Sequence, residues 1–122
     1  MPVTNTSKRK IIAASCDSLQ ITTTNQTTVL SYTVQKDDNY FVTPYIVVQN
    51  SPTSITLQLA WTDPISGAVT YNWYSGAVKG VGIYTLPTQM ITAVTGSTVN
   101  VIVTASVANN VYLSAVIETG EW

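Results

Sequence analysis

The chain has 122 residues, with five Lys or Arg against six Asp or Glu, no histidine and one cysteine. That inventory excludes a zinc centre assembled from several Cys and His ligands, and any Ser-His or Cys-His triad within one chain. A net charge of −1 and a pI near 4.9 exclude a basic nucleic-acid-binding surface, and 45% hydrophobic content with 9% charged residues excludes a disordered chain.

The length suits one domain with a core that needs no disulfide or metal staple. Thr, Val and Ile number 20, 16 and 10, and such β-branched side chains pack well on a pleated sheet while losing freedom in a helix. An all-β fold is expected, its surface covered by Thr, Ser, Asn and Gln instead of charge. Residues 1–10, ending in Lys8-Arg9-Lys10, read as a flexible arm, and residues 11–122 as a single domain. Ile11-Ile12-Ala13-Ala14 is too short an apolar run for a signal-peptide core, and no stretch approaches the ~20 apolar residues that span a bilayer. The sequence thus predicts a protein made in a cytoplasm with no membrane partner, although its Thr-rich, charge-poor coat is of the kind met outside cells.

Past the arm, short apolar stretches recur between turn-formers, the pattern of a sandwich or barrel. Ile11 to Ser15 and Leu19 to Thr23 are candidate strands around Cys16-Asp17. Thr27 to Lys36 alternates, with Leu30, Tyr32 and Val34 on one face and Val29, Ser31, Thr33 and Gln35 on the other; Lys36-Asp37-Asp38-Asn39 then turns the chain. Tyr40 to Gln49 is a further strand, and Pro44, which lacks an N–H, predicts that it lies on an edge or carries a bulge. From Ser54 to Tyr74 the alternation is clearest: Ile55, Leu57, Leu59 and Trp61, a turn at Asp63-Pro64-Ile65-Ser66-Gly67, then Val69, Tyr71 and Trp73 form a hairpin with one apolar face. Ser75 to Gly82 holds three glycines and reads as a loop before a short strand, Gly82 to Leu86, closed by Pro87.

Met90 to Val94, Thr98 to Val107 and Val111 to Glu118 complete the set, with turns at Thr95-Gly96-Ser97 and Ala108-Asn109-Asn110. Eight or nine strands and no helix predict an antiparallel β-sandwich of jelly-roll or Greek-key type, two sheets packed face to face.

Chemistry has few candidates. Paired carboxylates for glycoside hydrolysis must flank a cleft, and nothing in the spacing of Asp17, Asp37, Asp38, Asp63, Glu118 and Glu121 brings two together. Asp37-Asp38-Asn39 lacks the ligand spacing of a calcium loop and reads as a turn. Cys16 reads as a small buried hydrophobe, its thiolate disfavoured by Asp17. Trp61, Tyr71 and Trp73 read as core. Tyr74 and Tyr84 fall off the apolar pattern beside the Gly-rich loop and are candidates for stacking on a sugar ring or for an oligomer contact. Lys8, Arg9 and Lys10 of the arm, with the terminal Trp122, are candidate partner contacts. The Asn5-Thr6-Ser7 and Asn25-Gln26-Thr27 sequons are discounted for want of a secretory route. No cofactor, metal or nucleotide is expected.

The C-terminal third carries a resemblance. Ile91-Thr92-Ala93-Val94-Thr95-Gly96-Ser97-Thr98-Val99-Asn100-Val101, then Ala105-Ser106-Val107, then Val111-Tyr112-Leu113-Ser114-Ala115-Val116-Ile117-Glu118 resemble the closing strands of small β-sandwich domains in tailed-bacteriophage virion proteins. In those domains an Ala-x-x-Gly-Thr-Thr-Val-x-Val strand precedes a Thr-Tyr-x-Val-x-Ala-x-x-Glu strand. The resemblance covers about thirty residues and implies a non-enzymatic structural component of a virion assembled in the host cytoplasm: a capsid decoration, head-fibre or tail accessory protein. By the same analogy the partners are further copies, as a homotrimer, and other virion proteins such as the major capsid protein. The alternative expectation is a carbohydrate-binding or receptor-binding module of a tail or baseplate, using Tyr74, Tyr84 or Trp73.

Overall fold

A computed structural model of the chain describes residues 10–50, 53–78 and 80–120. The described residues form β1 (Lys10–Gln20), β2 (Thr27–Thr33), β3 (Asp38–Val48), β4 (Thr53–Asp63), β5 (Gly67–Val78), β6 (Gly82–Thr85), β7 (Gln89–Ala93), β8 (Thr98–Ala105) and β9 (Val111–Gly120). One sheet runs β1-β9-β3-β6, with β7 continuing the β6 line along β3; the other runs β2-β8-β4-β5. Pairings nest, β1 with β9, β2 with β8, β3 with β6 and β7, β4 with β5, so the chain is one long hairpin rolled into two sheets. That is the jelly roll, and it resolves the choice that periodicity leaves open.

The roll turns at Asp63–Gly67. Asp63 Oδ1 accepts from the N–H groups of Ile65 at 2.8 Å and Ser66 at 2.9 Å, and Gly67 takes a φ of +79° that any residue with a Cβ resists. Both inner faces are filled by the alternate residues the sequence marks: Leu57, Leu59, Val99, Val101, Val103, Leu113 and Ile117 are fully buried.

Several expectations are corrected. Ile11–Ser15 and Leu19–Thr23 are not two strands: Ile11–Ser15 and Leu19–Gln20 belong to the one strand β1, kept in one ladder by register shifts between Ile12 and Ala14 and between Cys16 and Leu19, with Ser18 absorbing the second at φ +50°, and Ile21–Thr23 lie beyond its end. Pro44 does not mark an edge, because β3 lies between β9 and the β6/β7 line. The pairing with β7 ends at Val42 and that with β6 begins at Tyr45, so Pro44 sits at a break where a missing N–H costs no ladder bond on that side. Val29 faces the core with Leu30, since it is the extra residue of a shift between Thr28 and Leu30. Ser75 to Val78 belongs to β5 and is not loop; it pairs with Thr53 to Thr56.

The two ends of the sandwich are tied by side chains. At one, Asp37 Oδ1 accepts from Thr95 Oγ1 at 2.5 Å and Thr95 N at 2.7 Å, which holds the Asp37 carboxyl below the usual carboxylate range. The turn expected at Asp37 is therefore a clamp between two loops. At the other end Asn110, 2% exposed, donates through Nδ2 to Asn50 O and Thr53 Oγ1.

Candidate functional site

Tyr74 on β5 and Tyr84 on β6 come together. They line one groove of about 240 Å³ at the open flank of the sandwich, where β5 and β6 are the neighbouring strands of opposite sheets; Ile46, Ile55, Val78 and Leu86 form its floor and walls. The placement follows from a bulge. Trp73 faces inward in step with Val69 and Tyr71; between Leu57 and Gln58 the β4–β5 register then shifts by one residue, which sets Tyr74 opposite Leu57 and so on the groove side. Trp73 is 8% exposed and donates from Nε1 to Pro87 O at 3.0 Å, stacking edge-on with Tyr71 at 6.1 Å. Trp61 and Tyr71 pack partly buried against the core, so the three aromatics expected there serve the core.

The groove's chemistry is limited. Both phenols are turned back onto the chain, Tyr74 Oη donating to Ala77 O and Tyr84 Oη to Gly80 O, each at 2.5 Å. The lining is otherwise aliphatic apart from Thr85. Ligand pockets usually measure ~300–1,000 Å³ and place several polar groups to orient what they hold; this groove falls below that size and offers few such groups.

Of the other candidate contacts, Lys8, Arg9 and Trp122 lie outside the described residues, and so does the side chain of Lys10. The Lys10 backbone begins β1 opposite Gly120, so the described chain begins and ends at the same end of one sheet. Cys16 is half-buried on β1; burial first, then the neighbouring Asp17, raises its thiol pKa above the ordinary value, against an opposing backbone hydrogen bond from Ala115. Among the described residues no group of three His, Cys, Asp or Glu side chains is placed to hold a metal.

One surface has no counterpart among the candidates. The outward residues of the β1-β9-β3-β6/β7 sheet include Ile12, Tyr45, Ile83 and Met90, all exposed, with Phe41 and Val47 between them. The outward residues of the other sheet are mostly Thr, Ser, Asn and Gln, with Thr56, Gln58 and Thr62 on β4, Thr70, Asn72 and Ser75 on β5, and Asn100 and Thr104 on β8; Ile102 is the one large apolar side chain among them, beside the small Ala60, Ala68 and Ala77. The signal was present in the sequence. Tyr40-Phe41-Val42 and Tyr45-Ile46-Val47-Val48 are apolar without alternation, the mark of a strand covered on both faces, whereas the β4 sequence alternates cleanly.

No protein-family model and no curated protein sequence matches the chain. Solved structures do. The fold is similar to that of viral-particle proteins. A chain of the T13 particle of infectious bursal disease virus matches with a TM-score of 0.62 at 9% identity, over 98% of this chain and 36% of that one. The VP2 subviral particle of infectious bursal disease virus matches at 0.59 and 12% identity, over 92% and 32%, and the Gt strain of that virus at 0.53 and 11%, over 93% and 33%. The chain thus spans about a third of the length of the chains it matches.

Proposed function

We propose that the chain is a non-enzymatic structural protein of a virus particle, acting through protein–protein contacts. The observation that carries this reading is the jelly roll itself, similar to chains of infectious bursal disease virus particles over nearly its whole length. It is supported by a coat of hydroxyl and amide groups with little charge, and by a sequence without histidine. The finer reading is a capsid decoration or accessory protein of a tailed phage, assembled with the major capsid protein in the host cytoplasm, with a homotrimer as the form its C-terminal strands imply by resemblance. Lys8, Arg9, Lys10 and Trp122 are its attachment handles in this reading. The role needs no cofactor, nucleic acid or membrane.

Mass spectrometry of gradient-purified particles tests it. The chain is expected in a fixed ratio to the other particle proteins, and removal of residues 1–9 is expected to release it while leaving its fold intact. Absence from purified particles would refute the role; retention of the truncated chain would refute the handles.

A second reading, a glycan-binding or receptor-binding module, draws on the meeting of Tyr74 and Tyr84 in one groove. Sugars carry hydroxyls that demand polar partners, and the groove has turned its phenols inward, so this reading ranks below the first. Glycan-array binding lost on Tyr74→Ala would reverse the order.

A further inference from the structure

Taking the virus-particle role proposed above as given, but with a dimer in place of its homotrimer, we propose that the outer face of the β1-β9-β3-β6/β7 sheet is where a second copy of this chain seats, face to face. The face has the area of a small interface. Four strands at ~4.8 Å spacing and nine residues of β3–β9 register at ~3.4 Å rise give a footprint of about 19 by 30 Å, on the order of 570 Å² before side-chain relief is counted. A standard stable interface takes ~800 Å² from each partner and a weak one under ~600 Å², so this footprint, in which Thr43, Thr85 and Ser114 are set among the apolar side chains, fits an association at the weak end.

Chemistry selects a copy of the same chain as occupant. Among the described side chains only Glu118 and Asp17 bring charge to this face, and Asp17 is held at the β1 bulge by Ser18 Oγ at 3.2 Å and Ser114 Oγ at 3.4 Å. An acidic partner would find no cation among these described side chains, and a second copy brings only the same two carboxylates, of which Asp17 already has its serine partners. The register also complements itself. Pro44 pairs with Ala115 at the centre, and outward residues lie symmetrically above and below that level. A two-fold axis crossing the strands there sets Ile83 over Met90 of the second copy and Val47 over its Phe41. On β9 it sets Tyr112 over Glu118 of the second copy, so that the carboxylate meets a phenol donor. A shallow hollow beside Val47, Gly82 and Ile83 receives the Met90 side chain, whose three rotatable bonds let it follow an uneven surface. Such an isologous contact closes at two copies, and a trimer would have to use other surfaces.

Sedimentation equilibrium of the purified full chain tests the contact. A mass of twice 13.1 kDa is expected for the native chain. Met90→Glu, at a position already 56% exposed, is expected to keep the native far-UV spectrum and melting temperature and to weaken association roughly 100-fold or more, because it buries a carboxylate against Ile83. Asn100→Glu on the polar sheet is expected to leave the mass unchanged. A native chain that stays at 13.1 kDa up to ~1 mM, a mass of three copies, a Met90→Glu dimer, or equal dissociation by Asn100→Glu would each overturn the inference. The particle assay separates the two failures: a monomer found in particles removes this contact and keeps the structural role, and a dimer missing from particles does the opposite.

Discussion

Val101 and Asn100 are neighbours on β8, and truncating each to alanine measures whether the strand register is right. Val101 is 0% exposed, between Leu30 of β2 and Leu59 of β4, whereas Asn100 points outward, its amide 3.3 Å from Thr98 Oγ1. Val101→Ala removes two buried carbons, ~1.6 kcal/mol of transfer free energy at ~0.8 per group. The hole they leave, about 50 Å³ at ~24 cal/mol per Å³, adds about 1.2 kcal/mol if the interlocked sheets do not collapse into it. The expected loss is about 2–3 kcal/mol, a large share of the roughly 6–18 kcal/mol that a chain of 122 residues commands. Asn100→Ala is expected to fall within ~0.5 kcal/mol of native. Urea titrations with a shared m-value give both differences directly. A one-residue slip would exchange the faces of the whole strand. Equal losses, or a larger one for Asn100→Ala, would therefore refute the register of β8 and with it the assignment of inner and outer faces.

Other outcomes follow from the titrating groups. Asp63 accepts the Ser66 and Ile65 N–H groups and Asp37 the Thr95 hydroxyl and N–H, so both carboxyls lie below their ordinary value of 3.8. A depressed acid stabilises the fold above its unfolded pKa and loses that contribution as pH falls through the folded one. Thermal melts should therefore show an acid limb below about pH 4 that flattens in Asp37→Ala/Asp63→Ala; an unchanged limb would show that these turns carry no linkage. Tyr40, fully buried and bonded to Lys36 O at 2.6 Å, has its pKa pushed up to about 12 by burial first and Tyr32 next. Its contribution is complete below pH 10 and lost as pH climbs toward 12, so Tyr40→Phe should flatten the alkaline limb in denaturation at those pH values. Cys16 should react with a disulfide reagent at pH 8 more slowly in the folded chain than in urea, since burial and Asp17 disfavour its thiolate; equal rates would place the thiol in open solvent.

The strands of the core were legible because period-two alternation survives any tertiary arrangement. Ile55, Leu57 and Leu59 face the same side wherever β4 sits, and all three are buried. What the alternation does not encode is the single extra residue. Val29, Ser18 and Trp73 each mark a shift whose position is set by the partner strand, and no local preference announces it. The same holds for Pro44. Its missing N–H was readable, but whether it meant an edge or a gap depended on β6 and β7 ending on either side of it, and those strands are separated from Pro44 by the whole β4–β5 hairpin. Tyr74 and Tyr84 were picked out by falling off pattern, while their meeting is a consequence of the roll, which sets β5 beside β6 across the open flank.

A jelly roll needs only its two inner faces to be apolar, so the composition of the outer faces is free to serve something else. On the β2-β8-β4-β5 sheet that freedom is spent mainly on solvation: Gln58 Nε2 donates to Asn72 Oδ1 at 2.8 Å, and apart from Ile102 and a few alanines the neighbouring rows carry hydroxyls and amides. On the opposite sheet the central pair β3 and β9 carries Phe41, Tyr45 and Val47 beside Tyr112 and Val116, rows that add nothing to the inner core. Apolar side chains held at the surface oppose solubility and are not required by the fold, since the other sheet is built with Ile102 as its one large outward apolar side chain. The asymmetry between two sheets of the same chain is thus what separates a contact surface from a general tendency of the sequence toward β-branched residues, since such a tendency would have enriched both faces alike.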